Sequence, residues 1–217
     1  MITLYDYELS VNCYKVRLLL NFLSVPYKLH PIDFFPGWEH KSDWFREINP
    51  LGHIPVIDDD GYVLRDSNAI LIYLATKYDV TNQWYPIHEA ALLGEVSQWI
   101  MFSEGTTNTA SAARLHDSLG YEFDIDACRI GAHRLFKVLD EHLWFREQEN
   151  LDWLCSGEFP TLADLVICRS NCFNWNLLLK VYVIRKYFIH FHLSKIVIGI
   201  TIKTYQKYFS RFSYCYY

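Results

Sequence analysis

The apolar residues of this 217-residue chain keep two different rhythms, and the switch between them constrains the fold more than any single motif. Up to residue 78, short extended runs alternate with helical ones. Ile2 to Tyr7 reads as a strand. After Ser10, the residues Val16, Leu19, Leu20 and Leu23 keep the i, i+3, i+4, i+7 spacing of a helix with one buried face. Pro26 to Ile32 is extended again. Ile54-Pro55-Val56-Ile57 and Tyr62-Val63-Leu64 flank a tight turn at Asp60-Gly61, the pattern of a β-hairpin. Ser67 then opens a helix with Ile70, Tyr73 and Leu74 on one face. The order β-α-β, then β-β-α, predicts an α/β unit over residues 1–78. Residues 79–87 carry turn formers without a period and read as a linker.

Over residues 88–170 only helical spacing is found. Leu92, Val96 and Trp99 keep it, and Cys128, Ala132, Leu135, Leu139 and Leu143 keep it more strictly. Thr161-Leu-Ala-Asp164 is a variant capping box, in which the Thr hydroxyl accepts from the third helical N–H while the acid reaches back. Leu162, Leu165 and Val166 supply the apolar face of the helix that follows. An α/β unit followed by an all-helical one is the expected architecture.

The composition is 51% hydrophobic and 21% charged, enough apolar matter for a real core. A formal charge of −5 argues against a general nucleic-acid binder. The first residues lack the basic start and apolar run of a signal peptide, and no run of 18 uncharged apolar residues predicts a membrane span. Cysteines at 13, 128, 155, 168, 172 and 215 form no C-x-x-C pair. Neither a dithiol redox centre nor a zinc site is therefore expected, and reduced thiols in a cytoplasmic protein are.

Charge is unevenly spread. From Asn171 to Tyr217 there are seven Lys and Arg, 13 aromatics and no acid, which leaves 13 basic and 25 acidic residues in the first 170. The tail keeps neither a helical nor an alternating pattern. Its Ile, Tyr, Phe and Lys content without acids is that of translated AT-rich non-coding DNA, and it reads as a misread splice boundary or a frameshift. A basic membrane-surface segment is the other reading.

Four features of the α/β unit carry chemistry. Leu9 to Arg17 is a polar turn between a strand and a helix, where small donors and free N–H groups favour an anion. Asn49-Pro-Leu-Gly-His-Ile-Pro55 sets a proline at the mouth of a strand, where a cis bond would leave the Ile54 backbone free to pair with an extended peptide. Arg65-Asp66-Ser67 places an acid and a hydroxyl before a helix, able to hold an ammonium and a carboxylate. Glu39-His40-Lys41 offers groups suited to a second carboxylate. Taken singly, Ser10, Asn12 and Asp66-Ser67 are ordinary helix caps, Pro55 an edge proline and His40-Lys41 a solvated pair. Their order within one frame gives them weight.

With these blocks, and with Asp66-Ser67-Asn-Ala-Ile-Leu-Ile-Tyr-Leu74 and Pro160-Thr-Leu-Ala-Asp164, residues 1 to about 170 resemble the cytosolic glutathione transferases. The likeness is to the serine types (theta, phi and nu-like). The resemblance implies a thioredoxin-like first domain, an all-helical second domain that is truncated or altered after residue 170, and a homodimer. It also implies glutathione as co-substrate, no metal, and a small electrophile or peroxide as second substrate. By this likeness Ser10 donates to the glutathione sulfur and Asn12 supports it. Ile54 pairs with the cysteinyl backbone, Asp66 and Ser67 hold the γ-glutamyl end, and His40, Lys41 and His53 face the glycyl carboxylate. Trp99, Phe102, Thr106, Thr109 and Arg114 fall where the family builds its acceptor pocket, and are equally read as core or dimer contacts. Tyr5 and Tyr7 are alternative sulfur donors that read better as packing within the strand. Cys13 is an alternative site for a mixed disulfide. A non-catalytic or defective protein of the same fold, acting as a binding module, is the competing functional reading.

Overall fold

A computed structural model describes residues 1–170, and the expectations placed on 171–217 lie outside them. Strand β1 (Ile2–Asp6) alternates buried and half-buried residues, so both faces of the sheet are covered. Ile2 and Leu4 join the main core with α1 (Val11–Phe22) and α3 (Ser67–Tyr78), through Val16, Leu19, Leu20, Ile70, Leu71 and Leu74. Tyr5 points to the other face, where Phe45 of α2 (Asp43–Ile48) closes a smaller cluster with Ile32 and Val56.

Strands β2 (Tyr27–Pro31), β3 (Val56–Asp59) and β4 (Tyr62–Arg65) complete a sheet of order β2-β1-β3-β4. The β1–β2 pair is parallel and the other two pairs are antiparallel. The hairpin closes at Asp60-Gly61, both with positive φ (51° and 93°), as a two-residue primed turn requires. This is the thioredoxin-like arrangement expected, with one element added. Helix α2 is only six residues long, too short for periodicity to reveal, and its signal is the Ser42 cap that accepts from the Phe45 N–H.

The second half is helical: α4 (Ala90–Thr106), a π turn (Thr107–Ser111), α5 (Ala112–Leu119), α6 (Ile125–Gln148) and α7 (Leu162–Ser170). Its core residues Val96, Trp99, Ile100, Leu139 and Leu162 run on from those of the first half without a break. Residues 79–87, although irregular, are pinned. Trp84 is buried, its ring stacks on Phe22 at 5.1 Å, its N–H donates to Asp79 and its carbonyl accepts from Leu162.

The capping box at α7 forms with one change. The Thr161 hydroxyl accepts from Ala163, the second helical N–H, and Asp164 reaches back to the Thr161 N–H at 2.9 Å. Asp164 also accepts from Leu154 at 3.0 Å, tying the loop before the helix to its first turn. Burial pushes the Asp164 carboxyl up to about 6 against these hydrogen bonds. No helix among the described residues is long and apolar enough to cross a membrane.

Candidate functional site

Strand register alone assembles the candidate residues. Asp6, the last residue of β1, pairs with Pro31 at the end of β2, while Tyr5 faces Val56, the first residue of β3. Val56 in turn faces Arg65, the last residue of β4. Four segments therefore leave one end of the sheet together: the Tyr7–Ser10 turn, the 32–41 loop, the approach to β3 through Ile54-Pro55, and Asp66-Ser67. Two helices, α1 and α3, start there with their N–H groups and positive ends directed to the same place.

Ser10 caps α1. Its hydroxyl oxygen accepts from the Cys13 N–H at 3.3 Å, and the hydroxyl also lies within hydrogen-bond reach of the Cys13 thiol. The turn that carries it is clipped twice, by the Ser10 N–H on the Tyr7 carbonyl (2.9 Å) and by Arg17 on the Glu8 carbonyl (3.1 Å). Arg17 also ion-pairs with Asp6 beneath the turn. Asn12 follows in the first turn of α1, half-buried.

Tyr7 lies just past the end of β1 and not inside it, with its ring 5.3 Å from Phe34. Tyr5 is within the strand and packs against His30 and Phe45. Cys13 is fully buried in α1, and burial pushes its thiol up to about 12, with Asp6 adding to the rise. Such a thiol is neither reachable nor ionised near neutrality.

The Ile54-Pro55 peptide is cis, and Ile54 stands two residues ahead of Val56, where the strand pairings begin. Asn49 shapes this approach from a buried position. Its amide donates to the His53 carbonyl at 2.7 Å and accepts from the Leu51 N–H. Gly52 has φ +61°, and a Cβ there would lie 2.7 Å from the His40 carbonyl oxygen, so only glycine lets these two loops touch.

Asp66 caps α3 and accepts from the Asn68 and Ala69 N–H groups, both at 2.9 Å, while Ile70 donates to the Asp66 carbonyl. Three of the four leading N–H groups are thus used within the helix. The Ser67 N–H is the one the helix does not use, with its buried hydroxyl beside it.

His40 differs from its expected role as a switchable cation. Its ring is buried, stacked on Phe34 at 4.0 Å, and its Nδ1 has no hydrogen-bond partner. Burial and the charges of Lys41, His53 and Arg46 hold its pKa down at about 4, so it is neutral at pH 7. The cations of this corner are Lys41, whose ammonium lies 4.1 Å from the centre of the Trp38 ring, and Arg46, with the exposed His53 beside them.

Of the residues assigned to the acceptor pocket, Trp99 is packed into the core edge-on to Phe102 and 4.7 Å from the His142 ring. Thr106 is buried with its hydroxyl on the Ser103 carbonyl, and the Thr109 hydroxyl donates to the Gly105 carbonyl. Phe102 and Arg114 are half-buried.

Sequence reasoning missed an aromatic run that joins the two halves. Tyr121 and Phe123, in the loop between α5 and α6, stack on each other, and Tyr121 lies parallel to Phe34 and 5.4 Å from Trp38. It also missed a polar node in which buried Lys15 and Asn68 reach Glu104 at the surface. The aromatic run has no sequence signal, since its members come from separate loops. Lysine on the apolar side of α1 was a signal for the node. Among the described residues no group of three His, Cys, Asp or Glu could hold a metal ion.

Residues 4–83 match the family model described as "Glutathione S-transferase, N-terminal domain". Rat glutathione S-transferase theta-1 is 35% identical over 101 residues, covering 46% of this chain and 42% of that protein. Human glutathione S-transferase theta-2B is 33% identical over 165 residues, covering 66% and 59%. The chain thus spans about two fifths of the length of the theta-1 relatives it matches. Among solved structures, a glutathione transferase homolog from Lodderomyces elongisporus, with two GSH per subunit, superposes with a TM-score of 0.69 at 25% identity. That match covers 83% of this chain and 91% of the other. Residues 4–83 thus carry a glutathione S-transferase N-terminal domain, and the register-built sheet end with its helical second half is the fold of the glutathione transferases.

Proposed function

We propose that this chain binds glutathione in extended form across the end of the sheet and activates its thiol. The target of the thiolate is a small electrophile, a peroxide or a disulfide. The observation that carries the reading is the register, which gathers Ser10, Ile54 and Asp66-Ser67 at one sheet end beneath two helix N-termini. In this reading the γ-glutamyl carboxylate takes the Ser67 N–H and hydroxyl, and its ammonium takes Asp66. The cysteinyl backbone pairs with Ile54. The glycyl carboxylate meets Lys41 and His53, with the buried, neutral His40 ring behind them. Relatives solved with glutathione bound support glutathione as the co-substrate.

The sulfur then lies against the Ser10 hydroxyl and the start of α1, with Asn12 beside it. A free thiol is mostly protonated near pH 7, and the thiolate is the nucleophile. A donated O–H and a helix terminus favour the anion, and lowering the thiol pKa by about 2 units requires about 2.7 kcal/mol, within reach of the two together. The thiol proton leaves to solvent. The sulfur electron pair forms the new bond to the electrophilic carbon, oxygen or sulfur, and the leaving group departs with the pair of the bond that breaks. Ser10 stays a donor throughout and forms no covalent bond.

In this reading residues 1–78 bind glutathione, residues 88–170 meet the second substrate, and the protein works as a cytoplasmic homodimer. Calorimetry of the full chain with reduced glutathione tests it. We expect saturable heat below millimolar titrant, weakened about tenfold by Asp66→Ala, together with conjugation of a chlorodinitrobenzene. No heat at millimolar glutathione overturns the reading, and binding without turnover of an electrophile, peroxide or disulfide makes the chain a binding module instead.

A further inference from the structure

We infer that Lys15 is a positioning residue for the γ-glutamyl end of glutathione, acting through Asn68 on the start of α3. The inference rests on the glutathione reading above. Lys15 projects from α1 and is 3% exposed, a rare state for a lysine. Its ammonium donates to Asn68 Oδ1 at 2.7 Å. The same amide donates through Nδ2 to Glu104 Oε1 at 2.6 Å and to Ser103 Oγ at 3.2 Å, both on α4. The Asn68 N–H is held by Asp66. One side chain in the first turn of α3 therefore ties three helices together, next to the two residues assigned to the γ-glutamyl group.

A buried ammonium is unfavourable unless it is paired, and an apolar residue of similar length would pack α1 against α3 without it. What the lysine adds is charge. Bonded to Asn68, the residue after Ser67, it adds positive charge at the start of α3, and it fixes the Asn68 amide that ties that helix start to α4. The charged groups facing it are Glu104 from α4 and Asp66 from the start of α3, with the Cys13 thiol on its own helix. Burial lowers its pKa to about 8, while these groups pull it the other way, so its charge is lost over an accessible range.

The test is calorimetry with S-methylglutathione, which has no thiol to titrate, between pH 6.5 and 8.5. We expect the wild-type Kd to rise about threefold from pH 7 to 8.5, as Lys15 loses its proton. Lys15→Met should bind about tenfold more weakly at pH 7 and show no such rise. Glu104→Gln keeps an acceptor for Asn68 but removes a charge facing Lys15, and should move the midpoint of the rise to lower pH. A merely structural lysine would leave the pH profile unmoved. Lys15→Met binding as tightly as wild type, a wild-type Kd flat with pH, or a midpoint unmoved by Glu104→Gln overturns the inference and leaves the glutathione reading standing. Failure of the wild type to bind S-methylglutathione at any pH overturns that reading itself.

Discussion

Asp164→Ala is expected to destabilise the protein in a way that depends on pH. The substitution removes the acceptor for two buried N–H groups, those of Leu154 and Thr161. An orphaned buried donor costs about 1–3 kcal/mol, so a loss of roughly 3 kcal/mol is expected at pH 7. The carboxyl is pushed up from 3.8 to about 6 by burial, which means the native state holds this proton more tightly than the unfolded chain. Native stability from this group is therefore present in full below pH 4 and is lost as pH rises through 6. Between pH 7 and 4.5 the wild type regains about 2 kcal/mol from Asp164 that the alanine variant cannot. Urea unfolding of both proteins at the two pH values, taken as a difference so that other titrating groups cancel, should give about 3 and about 5 kcal/mol. A difference that is the same at both pH values, or below about 1 kcal/mol throughout, refutes the reasoning.

Cys13, buried with its thiol pushed up to about 12, should react with iodoacetamide at pH 8 roughly a thousandfold more slowly than a free cysteine until the chain is unfolded; peptide mass spectrometry reads this directly. Gly52→Ala should lower stability by about 2 kcal/mol, because alanine resists φ +61° and its Cβ would crowd the His40 carbonyl. It should also raise the KM for glutathione several-fold with kcat little changed, since the loop it displaces carries Ile54 and His53. Thermal unfolding and steady-state kinetics check the two parts.

The first half of the fold was legible because strands and helices there carry strong signals: alternation in Ile2–Asp6, a Ser10 cap, an Asp-Gly hairpin turn and an Asp66-Ser67 cap. The gathering of Ser10, Ile54 and Asp66-Ser67 at one sheet end followed, since register and caps fix which ends meet. What stayed hidden depends on long-range contact. Helix α2 has a single fully buried apolar residue, Phe45, so its period is invisible. His40 reads as a surface residue beside Lys41, yet it is buried because Phe34 and Trp38, brought in by the preceding loop, enclose it. Lys15 sits among apolar neighbours in sequence, and only the approach of α3 and α4 supplies its partner and countercharges. Residues 79–87 look like a free linker because nothing local shows that Trp84 will stack on Phe22.

The most direct test of thiol activation is an ultraviolet titration of bound glutathione, following thiolate absorbance in the wild type, Ser10→Ala and Ser10→Thr. In the wild type the bound thiol should ionise about 2 pH units below free glutathione. Ser10→Ala should return it most of the way and lower kcat about a hundredfold, Ser10→Thr should preserve the shift, and glutathione affinity should change little in either. A bound thiol that ionises at the same pH with alanine at position 10 as with serine would contradict the account.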